Sequence, residues 1–170
     1  MLNTKIAQLL NEQVNYEFYS AYLYLSYSNY YIDAGLEGFA NWYTIQAQEE
    51  RAHAILFLEY LQHNGEKVIF EDIEKPTDIL ENYLDPLKKS LEHERLVTSK
   101  INNIYHEAAA VKDYRTTQFL DWFIKEQGEE EASVDALIKK YELFGTDSKG
   151  LYLLDTELAA RTYVEPSLTI

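Results

Sequence analysis

The sequence predicts an all-α protein: an antiparallel four-helix bundle with a long crossover between helices two and three and a short fifth C-terminal helix. Three observations predict it. Apolar residues recur at alternating steps of three and four over stretches of about thirty residues, the mark of one buried face on a long helix. Only six Gly and three Pro interrupt the 170 residues, too few breakers for many short elements. The one long stretch without such a period, about 65–83, separates two pairs of periodic segments. It is longer than a turn needs and long enough to carry the chain along a bundle.

The first helix is expected from Asn3 to Asp33, with the stripe Leu2, Ile6, Leu9, Gln13, Tyr16, Ser20, Leu23, Tyr27 and Tyr30. Glu17 and Tyr24, seven residues apart, share a line beside it. Gly35 is placed to cap its C-terminus. The second helix follows almost at once, Leu36 to Asn64, with Phe39, Tyr43, Gln46, Glu50, His53, Phe57 and Tyr60 on one face. So short a connection makes the two antiparallel neighbours. Asn64-Gly65 is a stop signal. From Lys67 to Tyr83 no period is sustained, and a crossover there would leave the third helix parallel to the second.

The third helix is expected to begin at Asp85-Pro86, where Pro is tolerated in the first turn. Its stripe is Leu87, Leu91, Glu94, Thr98, Ile101, Tyr105 and Ala108. After a break at Lys112-Asp113 the fourth carries Phe119, Phe123, Gln127, Glu130, Val134, Leu137, Tyr141 and Phe144, and ends at Gly145. A fifth helix is expected over about 148–161, with Leu151, Leu154 and Leu158 on one side. The tail beyond Val164, with Pro166, is expected to be loosely ordered. The whole chain, 1–170, reads as one domain.

Composition excludes several classes. There is no Cys, hence no disulfide, thiolate nucleophile or Cys-held metal. The net charge of −14 argues against a nucleic-acid partner and favours cations. The N-terminus lacks a signal-peptide pattern, and no apolar run approaches a membrane span. The expectation is a cytoplasmic protein with no membrane partner.

Each of the four stripes is interrupted near its middle: Gln13, Glu17 and Ser20; Gln46, Glu50 and His53; Glu94 and Thr98; Gln127 and Glu130. Helices of about thirty residues run roughly 45 Å, and the midpoints of antiparallel helices of equal length lie at one height. The interruptions therefore make one polar layer inside the core. Buried carboxylates without compensation cost several kcal/mol each, and bound cations compensate them. Oxygen ligands with one imidazole suit iron or manganese, and zinc less exclusively. Glu50, between the other ligands, is positioned to bridge two ions about 3.5–4 Å apart. A lone Glu50-x-x-His53 on one helix face would be weak evidence. Four interruptions in phase are much stronger. His63, His93 and His106 fall outside the layer.

The set Glu17, Glu50-x-x-His53, Glu94 and Gln127-x-x-Glu130, on four long helices with a crossover, resembles the ferritins, and in detail the prokaryotic non-haem ferritins. Ferritin-like carboxylate proteins are themselves a standing example of this architecture. The resemblance covers nearly the whole chain. It implies a ferroxidase centre, with one iron on Glu17, Glu50 and His53. The second would lie on bridging Glu50, Glu94 and Glu130, with Gln127 close by. Glu49, Glu126 and Glu129 match the ligands of a third iron site. Tyr24 and Trp122 are placed to hydrogen-bond a ligand or supply an electron. The resemblance further implies Fe(II) and O2 or peroxide as substrates, mineral stored as a ferric oxo-hydroxo species, and a hollow homo-oligomer of twenty-four subunits.

The departures sharpen this. A di-iron oxygenase or bacterioferritin would carry a second Glu-x-x-His where this chain has Gln127-x-x-Glu130, so the second metal position is expected to be the weaker. A methionine-held haem has only Met1 to draw on, and no haem is expected. Two rival readings remain at this point: a di-metal oxidase acting on another substrate, and a metal-free bundle whose polar layer satisfies itself.

Overall fold

A computed structural model describes residues 2–170. Met1, on which the haem expectation turns, lies outside them. The helices are α1 (Thr4–Asp33), α2 (Glu37–His63), α3 (Asp85–Ala110), α4 (Tyr114–Phe144) and α5 (Ser148–Leu158). No strand occurs among the described residues. No helix among them is long and apolar enough to cross a membrane.

The turns explain the bounds. Asn3 caps α1 by accepting from the Lys5 amide. At the far end Gly35 takes φ +75°, and the Leu36 amide bonds back to the Tyr31 carbonyl. Gly65 repeats this after α2 at φ +74°, with Glu66 bonding to Leu61. Both are the left-handed closure that glycine makes without steric cost. The same closure after α3 uses Lys112 at φ +61°, a conformation that costs a side chain about 1–2 kcal/mol. Asp113 then caps α4 through the Thr116 amide.

Cross-helix partners fix the directions. Ser28 reaches the Ala40 carbonyl and Tyr24 packs on Tyr43, so α1 and α2 run antiparallel. Gln127 reaches Glu94 while Tyr105 reaches Asp121, so α3 and α4 do too. Gln46 meets Glu130, and Tyr60 meets Thr116, so α2 and α4 are antiparallel. The third helix is thus parallel to the second, as the crossover requires. The crossover has no helix or strand between His63 and Asp85. Its first part is held by α1: Asn11 and Asn15 each use their amide side chain twice, bracketing the backbone at Lys67, Ile69 and Glu71. Tyr27 donates to Asp78 farther along.

The core is split in two. One apolar cluster contains Tyr24, Tyr27, Tyr31, Phe39, Tyr43, Leu87, Val134 and Leu154. The other contains Ile6, Leu10, Val14, Phe57, Leu61, Ile101, Phe119 and Phe123. Between them lie the buried polar residues Gln13, Glu17, Ser20, Gln46, Glu50, His53, His93, Glu94, Gln127 and Glu130. The interruptions do fall at one height.

Some expectations shift. On α1 Ile6, Gln13, Ser20, Leu23 and Tyr27 of the expected stripe are buried, as is Leu2 just before the helix, with Leu10, Val14, Glu17, Tyr24 and Tyr31 beside it, while Leu9, Tyr16 and Tyr30 are only partly buried. Steps of three and four drift about 20° per heptad against a straight helix, and the buried face is wider than a single stripe. On α4 Phe144 is 55% exposed, because the helix ends there. The helix α5 stops at Leu158, three residues short of Arg161. Leu154 and Leu158 bury against α2 and α4, and Leu151 partly so. The tail is anchored: Trp122 Nε1 donates to Ser167 Oγ at 3.1 Å, and Leu168 packs on the second cluster.

Candidate metal centre

Two helices supply the tight half of the centre. Glu50 and His53 are one turn apart on α2, with Oε2 and Nδ1 3.6 Å apart. Glu17 faces them from α1. These are the one group of three, among the described residues, whose ligand atoms all lie within 4.8 Å of one another. All three are at most 2% exposed. Gln13, one turn before Glu17, donates to its Oε1 at 2.7 Å. The other oxygen, Glu17 Oε2, has no partner, and neither has Glu50 Oε1. Two orphaned carboxylate oxygens beside an imidazole are a donor set that a cation completes.

The second half is held differently. Glu94 is fully buried on α3. It accepts from the Tyr24 hydroxyl and from Gln127 Nε2, the latter at 3.1 Å. Gln127 also donates to the Glu94 carbonyl at 3.3 Å, so it pins a carboxylate. Glu130, one turn along α4, accepts from Gln46 Nε2 at 2.8 Å. The opposite end of that amide, Gln46 Oε1, is unpartnered. With these clamps, Glu94 and Glu130 do not close into the group formed by Glu17, Glu50 and His53.

Burial dominates the electrostatics. It raises Glu17 well above the usual carboxylate range, with the Glu50 charge adding to it. Burial raises Glu50 likewise, helped by Glu94 and Glu130. Glu94 is pushed up to about 8, by burial and then by Glu130. Burial and the Glu94 charge hold the Tyr24 phenol far above its normal range, so it is a donor to Glu94. Burial thus favours the protonated carboxyls in the layer, the form with which a cation would have to compete.

His93 corrects the sequence reading, which set it aside. Its ring is buried on the wall of the layer, with Nε2 2.8 Å from Ser20 Oγ and Nδ1 3.4 Å from the Tyr16 hydroxyl. Ser20 donates onward to the Tyr16 carbonyl, which assigns the Nε2–H tautomer. Burial lowers its pKa to about 4, and it is neutral. The ring of Tyr24 stands edge-on to it, centroids 5.8 Å apart. His93 thus orients Tyr24, the phenol that holds Glu94. Its one sequence signal was its place beside Glu94. His63 and His106 are exposed and lie outside the layer.

The residues matched to a third site do not converge. Glu49 is bound to Arg161 at 2.7 Å. Burial still raises its pKa to about 7 against the lowering effect of Arg161. Glu126 is half-buried and raised by burial, and Glu129 is exposed and paired with Lys125 at 3.1 Å. Trp122 makes no hydrogen bond to a carboxylate among the described residues. Its ring is edge-on to His53, centroids 5.6 Å apart, while its N–H goes to Ser167.

Known proteins match this chain in sequence and fold across nearly its whole length. The family profile of the ferritin-like domain matches residues 7–144. A bacterial non-heme ferritin of Staphylococcus saprophyticus is 40% identical over 165 residues, 97% of this chain and 99% of that protein. A probable bacterial non-heme ferritin-like protein of Haemophilus influenzae is 37% identical over 158 residues, covering 93% and 96%. A closed form of the Archaeoglobus fulgidus ferritin, engineered by site-directed mutagenesis, superposes with a TM-score of 0.94 at 38% identity. It covers 96% of this chain and 100% of its own. The open pore ferritin of the same archaeon gives 0.92 at 38%, covering 95% and 98%. At such identity over nearly the full length of both partners, fold and sequence are inherited together, and this chain belongs to the ferritin-like domain family.

Proposed function

We propose that this chain is a cytoplasmic iron-storage protein with ferroxidase activity. It oxidises Fe(II) at the interior layer and keeps the product as a ferric oxo-hydroxo mineral inside a hollow shell of twenty-four copies. The observation that carries the reading is the buried trio Glu17, Glu50 and His53 with its two unpartnered oxygens. Iron is the substrate and the cargo here. One Fe(II) takes Glu17, Glu50 and His53; a second takes bridging Glu50 with Glu94 and Glu130. Gln127 and Tyr24 hold Glu94 for that second ion. Tyr24 is also near enough to lend an electron.

Each Fe(II) gives up one electron. Two of them, with two protons, reduce O2 to hydrogen peroxide, or reduce peroxide to two waters. The protons displaced from Glu17, Glu50 and Glu94 on metal binding supply that demand inside the layer. The looser second half suits an ion that moves on, and the tight half suits one that waits. A third station at Glu49, Glu126 and Glu129, implied by the resemblance, would require an ion to draw Glu49 from Arg161 and Glu129 from Lys125. One bundle encloses no space for mineral, so storage requires the shell.

The test joins size exclusion to an aerobic Fe(II) titration. A large assembly that consumes oxidant and retains many irons per chain is expected. Glu50→Ala and His53→Ala should each slow the initial oxidation by about 100-fold or more, since loss of even an outer partner of a metal ligand costs 10–100-fold. A small oligomer holding two metals per chain would sink storage. Unchanged oxidation in both variants would leave only a metal-free polar network.

A further inference from the structure

Four phenols, Tyr24, Tyr27, Tyr31 and Tyr43, are fully buried in the first apolar cluster. Tyr27 packs on Tyr24 with ring centroids 6.1 Å apart and on Tyr43 at 5.4 Å, both ordinary contact distances for aromatic pairs. Their hydroxyls end differently. Tyr43 meets Ser90 Oγ at 2.8 Å, and Ser90 itself donates to the Pro86 carbonyl. Tyr31 donates to the Tyr83 carbonyl at 2.6 Å. Neither a hydroxyl nor a carbonyl oxygen is a base that keeps an extra proton. Tyr24 and Tyr27 donate instead to carboxylates. Tyr24 uses Glu94, in the layer; Tyr27 uses Asp78, in the crossover. Asp78 is exposed and paired with Lys89 at 3.3 Å.

Tyr27 therefore has its ring against the phenol that touches the layer, and its hydroxyl on a base that touches water. Burial, then the bond to Asp78 and its charge, hold that phenol far above its normal range, so it keeps its proton at every working pH. A phenol that loses an electron becomes a strong acid. Such a group gives up an electron readily where a base stands ready for the proton, and Asp78 stands there. The electron has one ring, Tyr24, to cross.

The layer has a use for it. Its tight half holds one Fe(II) when the looser half is empty, and a two-electron oxidant arriving then is one electron short. Peroxide reduced by a single electron splits into hydroxide and a hydroxyl radical, which damages the chain.

We infer that Tyr27 and Asp78 form a proton-coupled electron donor that supplies the missing electron to a half-filled layer. The inference rests on the reading of the layer as a ferroxidase centre. Fe(II) gives one electron and becomes Fe(III). Tyr27 gives the other through the Tyr24 ring; its O–H bond breaks, the proton passes to Asp78, and a neutral phenoxyl radical remains. The O–O bond of peroxide breaks on taking both electrons, and two protons drawn into the layer complete two waters. A later Fe(II) in the layer returns an electron to Tyr27, and Asp78 returns the proton. Full burial keeps the radical from coupling to a neighbouring chain.

The experiment mixes the assembled protein with one Fe(II) per chain and then hydrogen peroxide, and follows freeze-quenched samples by electron paramagnetic resonance. The parent should show a tyrosyl radical as Fe(III) forms. Tyr27→Phe, which keeps the ring, should lose that signal, yet oxidise two Fe(II) per chain at the parent rate, because iron then supplies both electrons. Asp78→Asn should slow radical formation by about 100-fold, the lower end of what a positioned proton acceptor contributes, and Asp78→Glu should restore it. Tyr43→Phe should keep the signal. A radical at parent level in Tyr27→Phe places it on another phenol and overturns the inference. Radical formation unchanged in Asp78→Asn overturns it as well, and so does loss of the signal in Tyr43→Phe, which would make packing of the cluster the cause. A parent that oxidises iron with no tyrosyl signal overturns it too. A parent that leaves Fe(II) unoxidised overturns the ferroxidase reading itself, a distinct result.

Discussion

Glu94 shows how burial beside a second carboxylate turns a side chain into an acid when no metal is present. Its carboxyl is buried and sits opposite Glu130, and its pKa rises from 4.5 to about 8. The folded chain therefore binds that proton more tightly than the unfolded chain does. The stability from this group is complete below about pH 4.5 and is lost as pH rises through about 8. Thermal melts in chelator should accordingly show a midpoint that falls from the acid to the alkaline side of this window. Glu94→Gln, which keeps the hydrogen-bonding shape without the titration, should flatten the curve. A midpoint that rises with pH in chelator would contradict the buried-acid account. Gly128 offers a contrast: it is exposed inside α4, a Cβ there meets nothing within 4 Å, and no contact explains the glycine.

Among the elements, α2 depends on α5. Its own first residue supplies no side-chain cap. The Asp155 carboxylate, from α5, instead accepts from the Gly38 and Phe39 amides at 2.8 and 3.0 Å. A Cβ on Gly38 would lie 1.7 Å from the Asp155 carbonyl oxygen, so the close approach that brings the cap requires glycine. Asp155→Ala should cost about 1 kcal/mol or somewhat more in urea denaturation, the usual worth of an N-cap. The loss should concentrate on α5, visible as faster amide exchange at Leu154 and Leu158. An unchanged unfolding midpoint would show that α5 docks by Leu154 and Leu158 alone. Since α2 carries Glu50 and His53, and the same α5 leads into Arg161, this cap links the short helix to the metal layer.

At the scale of the molecule, the polar layer divides one core into two apolar halves. Burying four carboxylates there is unfavourable until cations arrive. Metal should then act as a folding ligand: with free metal about 100-fold above its Kd, stability should rise by about 2.7 kcal/mol. Calorimetric scans with and without Zn2+ measure this, and Glu17→Ala together with Glu50→Ala should abolish the gain. A chain whose melting is indifferent to metal would have a layer satisfied by its own hydrogen bonds. The −14 charge acts in the same direction, drawing cations toward the assembly.

Much of this was legible in the sequence because it is periodic or compositional. The five helices, the crossover, the height of the layer and the types of polar residue in it all follow from spacing along single helices. Local repetition could not say how wide the buried face of α1 is, and Leu10, Val14 and Tyr24 joined the expected stripe while Leu9 and Tyr16 stayed at its edge. Nor could it pair residues distant in the chain. Gln127 as a clamp on Glu94, His93 behind Tyr24, Asp155 capping α2 and Arg161 holding Glu49 across 112 positions all depend on how helices register against one another. Helix periodicity determines which face is apolar, and hence the bundle and the place of its polar layer. Tertiary packing alone decided which polar groups there have partners, because a hydrogen bond is won or lost within a few tenths of an ångström.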